Sequence, residues 1–214
     1  MFDNSLNLLI KSASSDCNMR CKYCFYRDEA RQRKKSSYGV MNSETAVNII
    51  KKSLAVSESC NFCFQGGEPT LAGLDFFREF TICVKKHKKK SQKISYSLQT
   101  NGTRINNEWL KFLAAEKFLV GVSIDGPPSE HDRFRLDPEC KPSFYRIFSN
   151  SRKMLSAGIG ANVLTVLTDE NALTVGNIYN FFKKTVFYTI SIYLVSIRSI
   201  GAVFSSAAKI TRLH

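Results

Sequence analysis

Residues 17–24 read Cys17-Asn18-Met19-Arg20-Cys21-Lys22-Tyr23-Cys24, a stretch that spaces three cysteines as C-x3-C-x2-C. The apolar segment 6–10 precedes them, so they are predicted to lie on the loop after a strand. Three thiolates on one short loop can hold three irons of a [4Fe-4S] cluster, and the fourth iron then stays open to a ligand from outside the protein. The spacing therefore predicts a cluster site with one open iron.

Apolar segments of strand length alternate with helix-like segments along the chain. Strands are predicted at residues 6–14, 61–65, 93–100, 119–125 and 161–167. Helices are predicted at residues 43–54, with Ser43 as the cap, and at 74–88, 107–117, 144–157 and 174–184. A β-α unit repeated in this way predicts parallel strands with helices outside. The polar motifs follow the strands, where barrels and open α/β sheets both place their sites.

Three polar motifs stand at these strand ends. Residues 64–70 read FQGGEPT, residues 97–103 read SLQTNGT, and residues 121–127 read GVSIDGP, with HDRFR following at 131–135. Paired glycines let the backbone approach a ligand closely, and Glu68 beside them could receive an ammonium group. The Ser123 hydroxyl could bond a ribose, and an arginine at 133 or 135 could clamp a carboxylate. For most of these motifs taken alone, ordinary turn chemistry or a surface ion pair is the favoured explanation, and it is their occurrence together at strand ends that favours a site.

The net charge of +13 raises the question of nucleic-acid binding. Much of the charge lies in one run: Lys85, Lys86, Lys88, Lys89, Lys90 and Lys93. This run has no interleaved aromatic residues and follows a predicted helix, where lysines complement the helix dipole. A solvated helix end with His87 on its surface is therefore favoured over a nucleic-acid site.

The seven cysteines are unevenly spaced, and residues 1–10 lack the basic start and apolar run of a secretory signal. Together these features favour the reducing cytoplasm over a disulfide-bonded location. Cys60 and Cys63 form a second C-x2-C pair, which with Cys21 and Cys24 could bind zinc on spacing alone. Because Cys63 falls within a predicted strand and Cys60 just before it, core packing is favoured for both.

The cysteine loop, with an aromatic residue at Tyr23, resembles the radical S-adenosylmethionine (radical SAM) family. Cys24-Phe25-Tyr26, FQGGEPTLAGL at 64–74, SLQTNGT and the segment 118–127 resemble the anaerobic sulfatase-maturating enzymes. The resemblance extends from about residue 6 to residue 184. It implies an α/β fold with a partial (β/α)6 barrel as the catalytic core. It also implies two cofactors, a [4Fe-4S] cluster and S-adenosyl-L-methionine.

The resemblance also implies residue roles. The cluster ligands are Cys17, Cys21 and Cys24. The residues contacting S-adenosylmethionine are Tyr23, Gly67, Ser123 and Arg135. Those facing the substrate peptide are Tyr26 and Gln65.

The implied activity is oxidation of a cysteine or serine of a sulfatase polypeptide to Cα-formylglycine, through a 5′-deoxyadenosyl radical. The implied electron donor is a flavodoxin or ferredoxin, with no nucleic-acid or membrane partner. Maturation of another peptide, or cluster binding without activity, is an alternative.

The family pattern stops after about residue 184. The family continues into a sixth strand and a cysteine-rich region with two more clusters and an aspartate base, whereas residues 185–214 contain no cysteine or acidic residue. We therefore expect residues 1–184 to form the radical SAM core domain and residues 185–214 to be an aberrant tail, translated out of frame. The fold would then lack a normal last strand, the auxiliary-cluster domain and the catalytic base. Residues 186–204 are apolar, but Arg198 and frequent polar residues disfavour a membrane helix.

Overall fold

The computed structural model describes residues 4–185, 189–196 and 203–211. Within these ranges seven strands form one sheet, in the same order as along the chain. The strands are β1 (Ser5–Ile10), β2 (Ser59–Phe64), β3 (Lys93–Thr100), β4 (Leu119–Ser123), β5 (Ala161–Leu167), β6 (Thr189–Ser196) and β7 (Val203–Thr211). Neighbouring strands are parallel from β1 to β6, and β7 is antiparallel to β6.

Helices connect the parallel strands. They are α1 (Phe25–Gln32), α2 (Ser43–Val56), α3 (Leu74–His87), α4 (Asn107–Ala115), α5 (Pro128–Phe134), α6 (Phe144–Ser156) and α7 (Val175–Lys183), with short 3-10 turns at Pro69–Ala72 and Asn171–Thr174. Each of the five predicted strands and five predicted helices has its counterpart here, which confirms the repeated β-α pattern.

The predictions missed two helices, α1 and α5. Both are short, with 8 and 7 residues, and short helices depend on tertiary packing more than on a periodic sequence signal. The predicted cap of α2 is also wrong by one residue. Asn42 is the cap, because its Oδ1 accepts a hydrogen bond from the backbone N–H of Thr45 at 2.8 Å.

A sixth parallel strand, β6, lies in the segment that departs from the family pattern. β6 pairs with β5 in register from Val163 opposite Ile190 to Leu167 opposite Leu194. Its sequence, TISIYLVS, is rich in β-branched residues, which favour strands irrespective of any family pattern. The antiparallel β7 then covers the outer edge of β6, which would otherwise be exposed for pairing.

The hydrophobic core lies between the sheet and the helices. In β2, Phe62 and Phe64 point toward α3, where the ring centroids of Phe62 and Phe80 lie 5.2 Å apart and those of Phe64 and Phe77 lie 4.8 Å apart. All four rings are almost fully buried, and burial of each contributes about 1.5–3 kcal/mol. This core holds the strand ends, and therefore the loops that follow them, in place.

The alternation of β2 also separates its two cysteines. Cys60 is buried with the phenylalanines, whereas Cys63 is partly exposed on the opposite face of the strand and lies outside the core cluster. Core packing is therefore confirmed for Cys60 and wrong for Cys63. Because the two side chains point to opposite faces of the sheet, they cannot chelate one zinc ion together.

The basic run lies at the end of α3, as predicted. Lys85 and Lys86 are in the last turn of the helix and are exposed, and Lys85 pairs with Glu116 at 2.6 Å. His87 is half-buried, and its Nδ1 lies 2.9 Å from the carbonyl oxygen of Cys83. Within the described ranges, we find no helix that combines the length and the apolar character needed to cross a membrane.

Candidate functional site

One cavity at the carboxyl ends of the strands gathers every residue predicted for the site. Its lining includes Cys17, Cys21, Tyr23, Cys24, Tyr26, Gln65, Gly67, Ser123 and Arg135. It also includes Glu68, Gln99 and Asn101, for which the sequence predicted no site role or a different one. The carboxyl ends of parallel strands are the ordinary place for such a cavity.

The cysteine loop follows β1 and is tied to a distant part of the chain. The backbone N–H of Arg20 donates to the carbonyl of Leu136 at 2.8 Å, and that of Lys22 donates to the carbonyl of Phe134 at 2.9 Å. Cys24 then begins helix α1 as its cap residue. These anchors hold the three thiols against one wall of the cavity.

Desolvation governs the chemistry of the thiols. Although the Cys17 side chain reaches the open cavity, the protein around it displaces water and raises the pKa of its thiol to about 12, with the nearby Glu68 carboxylate adding to the rise. Burial also raises the pKa of Cys21. Without a cation these thiols stay protonated, and a metal centre would have to displace their protons on binding.

The donor set fits an iron-sulfur cluster better than a single metal ion. Among the described residues, no three histidine, cysteine, aspartate or glutamate side chains are grouped closely enough for one ion. A zinc ion needs four ligands at about 2.0–2.3 Å. In an iron-sulfur cube each thiolate instead binds its own iron, so three thiols spread along one wall suit it.

The turn after β2 packs directly on the cysteine loop. Gly66 and Gly67 both have positive φ, at +114° and +56°. A Cβ on Gly67 would lie 2.3 Å from the carbonyl oxygen of Asp16, and that same oxygen accepts from the backbone N–H of Glu68 at 2.7 Å. The turn therefore requires both glycines, and Gly67 is required by contact with the protein's own backbone.

Glu68 joins this turn to the end of β3. It is 1% exposed, and its Oε1 accepts from the Thr70 N–H at 3.1 Å, the Thr70 hydroxyl at 2.6 Å and the Thr100 hydroxyl at 2.7 Å. Its Oε2 accepts from the Asn101 N–H at 2.7 Å. Oε1 therefore accepts three hydrogen bonds and Oε2 accepts one, which leaves Oε2 with acceptor capacity. Glu68 also lines the cavity, and its role toward a ligand ammonium group stays a prediction.

A buried polar cluster lies behind the cysteine loop. The Tyr23 hydroxyl donates to Asp125 Oδ2 and accepts from Arg135 Nη1 at 2.8 Å, while Asp125 Oδ1 accepts from the Val166 N–H at 3.1 Å. Asp125 is 0% exposed; burial raises the pKa of its carboxyl, and the Arg135 charge and the Tyr23 hydrogen bond oppose that rise. These hydrogen bonds hold the side chains of Tyr23 and Arg135 at the wall of the cavity.

Arg135 keeps one donor free. Its buried Nε has no hydrogen-bond partner among the described residues, although the side chain lines the cavity. Because the Arg135 side chain lines the cavity, its guanidinium charge suits an anionic ligand group such as a carboxylate. Arg133, two residues earlier, instead pairs with Glu170 at 2.6 Å on the surface. The surface ion pair considered from the sequence therefore describes Arg133 and not Arg135.

The remaining predicted residues form hydrogen bonds along the cavity wall. Ser123, at the end of β4, accepts a hydrogen bond from Gln99 Nε2 at 3.1 Å. Gln65 donates to the Tyr26 hydroxyl at 3.3 Å, and Lys11 Nζ lies 4.9 Å from the centre of the Tyr26 ring. The two residues expected to meet a substrate peptide thus contact each other directly.

His131 supports the same wall from inside the protein. Its Nδ1 accepts from the Asp125 N–H at 3.3 Å, and its Nε2 lies 3.1 Å from the Ser143 hydroxyl, which donates to the Arg135 carbonyl at 2.7 Å. Burial, with the positive charge of Arg135, lowers the pKa of His131 to about 2. The imidazole is therefore neutral, with both nitrogens engaged.

Asp125, Asn101 and Gln99 lie in motifs that the sequence analysis identified, but no individual role was predicted for them. A signal was present, since each polar residue ends or follows an apolar strand and so lies at the same edge of the sheet. Their partners are distant in sequence, which is why the motifs alone could not assign them.

Comparison with known proteins identifies relatives. The model of the Radical SAM superfamily matches residues 12–182. The cysteine-type anaerobic sulfatase-maturating enzyme of Clostridium novyi (strain NT) is 45% identical over 181 residues, covering 84% of this chain and 48% of that protein. The serine-type enzyme of Bacteroides thetaiotaomicron is 32% identical over 185 residues, covering 86% of this chain and 44% of that protein.

A solved structure extends the similarity to three dimensions. The structure of native anSMEcpe with bound AdoMet and Cp18Cys peptide superposes with a TM-score of 0.82 at 40% identity, covering 89% of this chain and 51% of that one. The chain therefore spans about half the length of the relatives that it matches.

Proposed function

Because this chain belongs to the radical SAM superfamily and is 45% identical to an anaerobic sulfatase-maturating enzyme over 181 residues, we propose that it is the catalytic core of such an enzyme. The proposed reaction is oxidation of a cysteine or serine of a sulfatase polypeptide to Cα-formylglycine. The proposed electron donor is a small reduced protein such as a flavodoxin or ferredoxin. The predicted family and the partial barrel fold are both confirmed by the comparisons.

The observation that carries the proposal is the single cavity that gathers all nine predicted residues. Three free thiols lie on one of its walls, and Arg135 brings a guanidinium charge to the same cavity. A thiolate-binding cluster and a ligand with a carboxylate are the two groups that this donor set suits.

Each residue then has a defined task. Cys17, Cys21 and Cys24 would hold the cluster, and Arg135 would bind the carboxylate of the methionine end of S-adenosylmethionine. Ser123, with Gln99 beside it, would bind the ribose hydroxyls. Tyr23 is held by Asp125 and Arg135 and would contact the nucleotide.

When bound, the cluster would supply one electron to S-adenosylmethionine, whose cleavage into methionine and a 5′-deoxyadenosyl radical would supply the means of removing a hydrogen atom from the substrate Cβ. Gln65 and Tyr26 lie on the cavity wall where a peptide side chain would enter, and their mutual hydrogen bond would orient both toward it. We place the protein in the reducing cytoplasm, where its seven free cysteines would stay reduced.

Two further candidate functions follow from particular observations. Maturation of another peptide is compatible with the same cavity, because the substrate would be chosen by the few residues that face it. Cluster binding without turnover is compatible with the same three thiols, because they can hold a cluster whether or not a peptide is oxidised.

Anaerobic reconstitution with iron and sulfide tests the proposal. We expect a brown protein with about four irons per chain, whose colour is lost when Cys17, Cys21 and Cys24 are all replaced by alanine. Cys140→Ala is the matched control, because Cys140 is exposed on a loop. A chain that binds zinc and no cluster would contradict the proposal.

Turnover is tested separately with S-adenosylmethionine, dithionite and two sulfatase-derived peptides that carry cysteine or serine at the target position. The maturase proposal predicts 5′-deoxyadenosine and a peptide that has lost the mass expected for formylglycine. 5′-Deoxyadenosine without peptide oxidation would favour another substrate. A loaded cluster with no 5′-deoxyadenosine would favour the non-catalytic candidate.

A further inference from the structure

The loop after β3 reaches across the cavity to the first cysteine. The side-chain nitrogen of Asn101, Nδ2, donates to Cys17 Sγ at 3.8 Å, although the two residues are 84 positions apart. Asn101 is 5% exposed and lines the same cavity as the cysteine. A sulfur atom accepts hydrogen bonds at longer distances than oxygen, so this contact is a hydrogen bond to the predicted cluster ligand.

The orientation of the Asn101 amide follows from its other contacts. Its Oδ1 accepts from both the backbone N–H and the hydroxyl of Thr103, at 2.9 and 2.7 Å. The nitrogen also donates to Asn18 Oδ1 at 2.9 Å, and Asn18 Nδ2 donates to the Thr103 hydroxyl at 2.8 Å. Because two donors hold the oxygen, the amide nitrogen must face the sulfur.

The backbone of this loop is held equally firmly. The Asn101 N–H donates to Glu68 Oε2 at 2.7 Å, and Asn150 donates to the carbonyl of Gly102 at 2.9 Å. The donor therefore lies at a set position relative to the cysteine loop and does not need to reorganise when the sulfur gains charge.

We propose that Asn101 is a positioning residue that tunes a cluster bound by Cys17 through an N–H···S hydrogen bond and raises its reduction potential. The inference rests on the proposed function, since it assumes that Cys17 ligates a cluster. One-electron reduction adds negative charge to the cluster and its thiolates, so a fixed donor stabilises the reduced state more than the oxidised state. Its removal should therefore make the cluster harder to reduce.

The test is a redox titration of reconstituted protein, in which the EPR signal of the reduced cluster is followed against potential. Two variants remove the Asn101 amide nitrogen without adding charge. Asn101→Ser keeps a hydroxyl that can accept from Thr103 but is one bond shorter than the amide, and Asn101→Leu preserves the size. We expect each to weaken the affinity of the cluster for its electron about three- to tenfold, a midpoint potential lower by about 30–59 mV for a one-electron couple.

Asn150→Leu is the matched control, because it removes a buried asparagine that holds the same loop without any contact to a cysteine. Its potential should equal that of the wild-type protein. An equal shift in Asn150→Leu, or no shift in either Asn101 variant, would overturn the proposal and leave cluster binding itself intact.

Two other outcomes also count against it. If Asn150→Leu loads a cluster and both Asn101 variants do not, the hydrogen bond serves assembly and the tuning role is refuted. If the wild-type chain binds no cluster at all, the proposed function fails, and this inference fails with its premise.

Discussion

Glu68 gives the sharpest test of how the site is held together. Replacing it with glutamine keeps the size of the side chain and one carbonyl oxygen, which can still accept from Thr70 and Thr100. The new amide group would face the Asn101 N–H, so a donor would meet a donor where Oε2 now accepts at 2.7 Å. The change therefore breaks the connection between the turn after β2 and the end of β3.

The magnitude follows from the four hydrogen bonds. A buried hydrogen bond to a charged group contributes about 1.5–3 kcal/mol, and Glu68→Gln loses the one from Asn101 outright. The other three become neutral and weaker, but the lower desolvation cost of an amide offsets part of that loss. We expect the free energy of unfolding to fall by about 2–3 kcal/mol, a large fraction of the ~5–15 kcal/mol of a typical domain.

Urea unfolding of the reduced, metal-free protein measures this change. Trp109, the single tryptophan, is 5% exposed and packs on Phe77, so its fluorescence reports the core. Glu79→Gln, on the exposed face of α3, is the control and should stay within about 0.5 kcal/mol of wild type.

A double-mutant cycle that combines Glu68→Gln with Thr100→Val should give a coupling energy of about 1 kcal/mol. The reason is that the Thr100 hydroxyl donates its hydrogen bond to the Glu68 carboxylate. If Glu68→Gln is as stable as Glu79→Gln, the carboxylate does not hold the two loops together. Our account of the turn would then be wrong.

Further predictions concern the buried Asp125 carboxylate, the His131 imidazole, the turn at Gly67 and residues 185–214. Asp125→Asn removes the buried negative charge that interacts with Arg135 across the Tyr23 hydroxyl and should lower the free energy of unfolding by about 3–5 kcal/mol, whereas Glu170→Gln at the surface pair should change it by less than about 1 kcal/mol; equal effects in urea unfolding would refute this buried charge interaction. His131 has a pKa of about 2 in the folded protein against about 6.5 when unfolded, so the unfolded state binds more protons between these values and stability falls as the pH drops below about 6.5. About 2 kcal/mol should be lost between pH 7 and pH 5, and His131→Gln, but not His87→Gln, should remove this dependence. Gly67→Ala would force a Cβ to 2.3 Å from Asp16 and should abolish cluster loading, whereas Gly73→Ala, at φ +86° in open space, should retain the iron content; loading of both would disprove the close packing. If residues 185–214 are translated out of frame, sequencing of the gene region should reveal a cysteine-rich reading in another frame of the downstream DNA, and its absence would refute that proposal.

The sequence predicted the elements that carry local signals. The cysteine spacing and the residues at the strand ends are contiguous motifs, and the alternation of apolar and helical periods is visible within each segment. For this reason the five β-α units could be predicted from the sequence. The nine candidate site residues came from the family resemblance that these motifs carry, and the structure brings those nine into one cavity. The short helices α1 and α5 carried too few residues for such a signal.

The last strand forms in a segment that departs from the family pattern. Residues 185–214 do not match the family motif, and β6 pairs with β5 along five residue pairs. Strand formation depends on β-branched composition and an available edge, and a family motif is not needed for either.

Only the tertiary structure decided how the site's residues support one another. Arg135 reaches Tyr23 across 112 positions, and Asn101 reaches Cys17 across 84, so no local pattern could pair them. Likewise, the motif around Glu68 did not indicate its hydrogen bonds with Thr100 and Asn101. These bonds form because β2 and β3 are adjacent in the sheet. The physical reason is that covalent neighbours determine periodicity and turn chemistry, whereas hydrogen-bond partners and burial are set by which strand ends the folded sheet brings together.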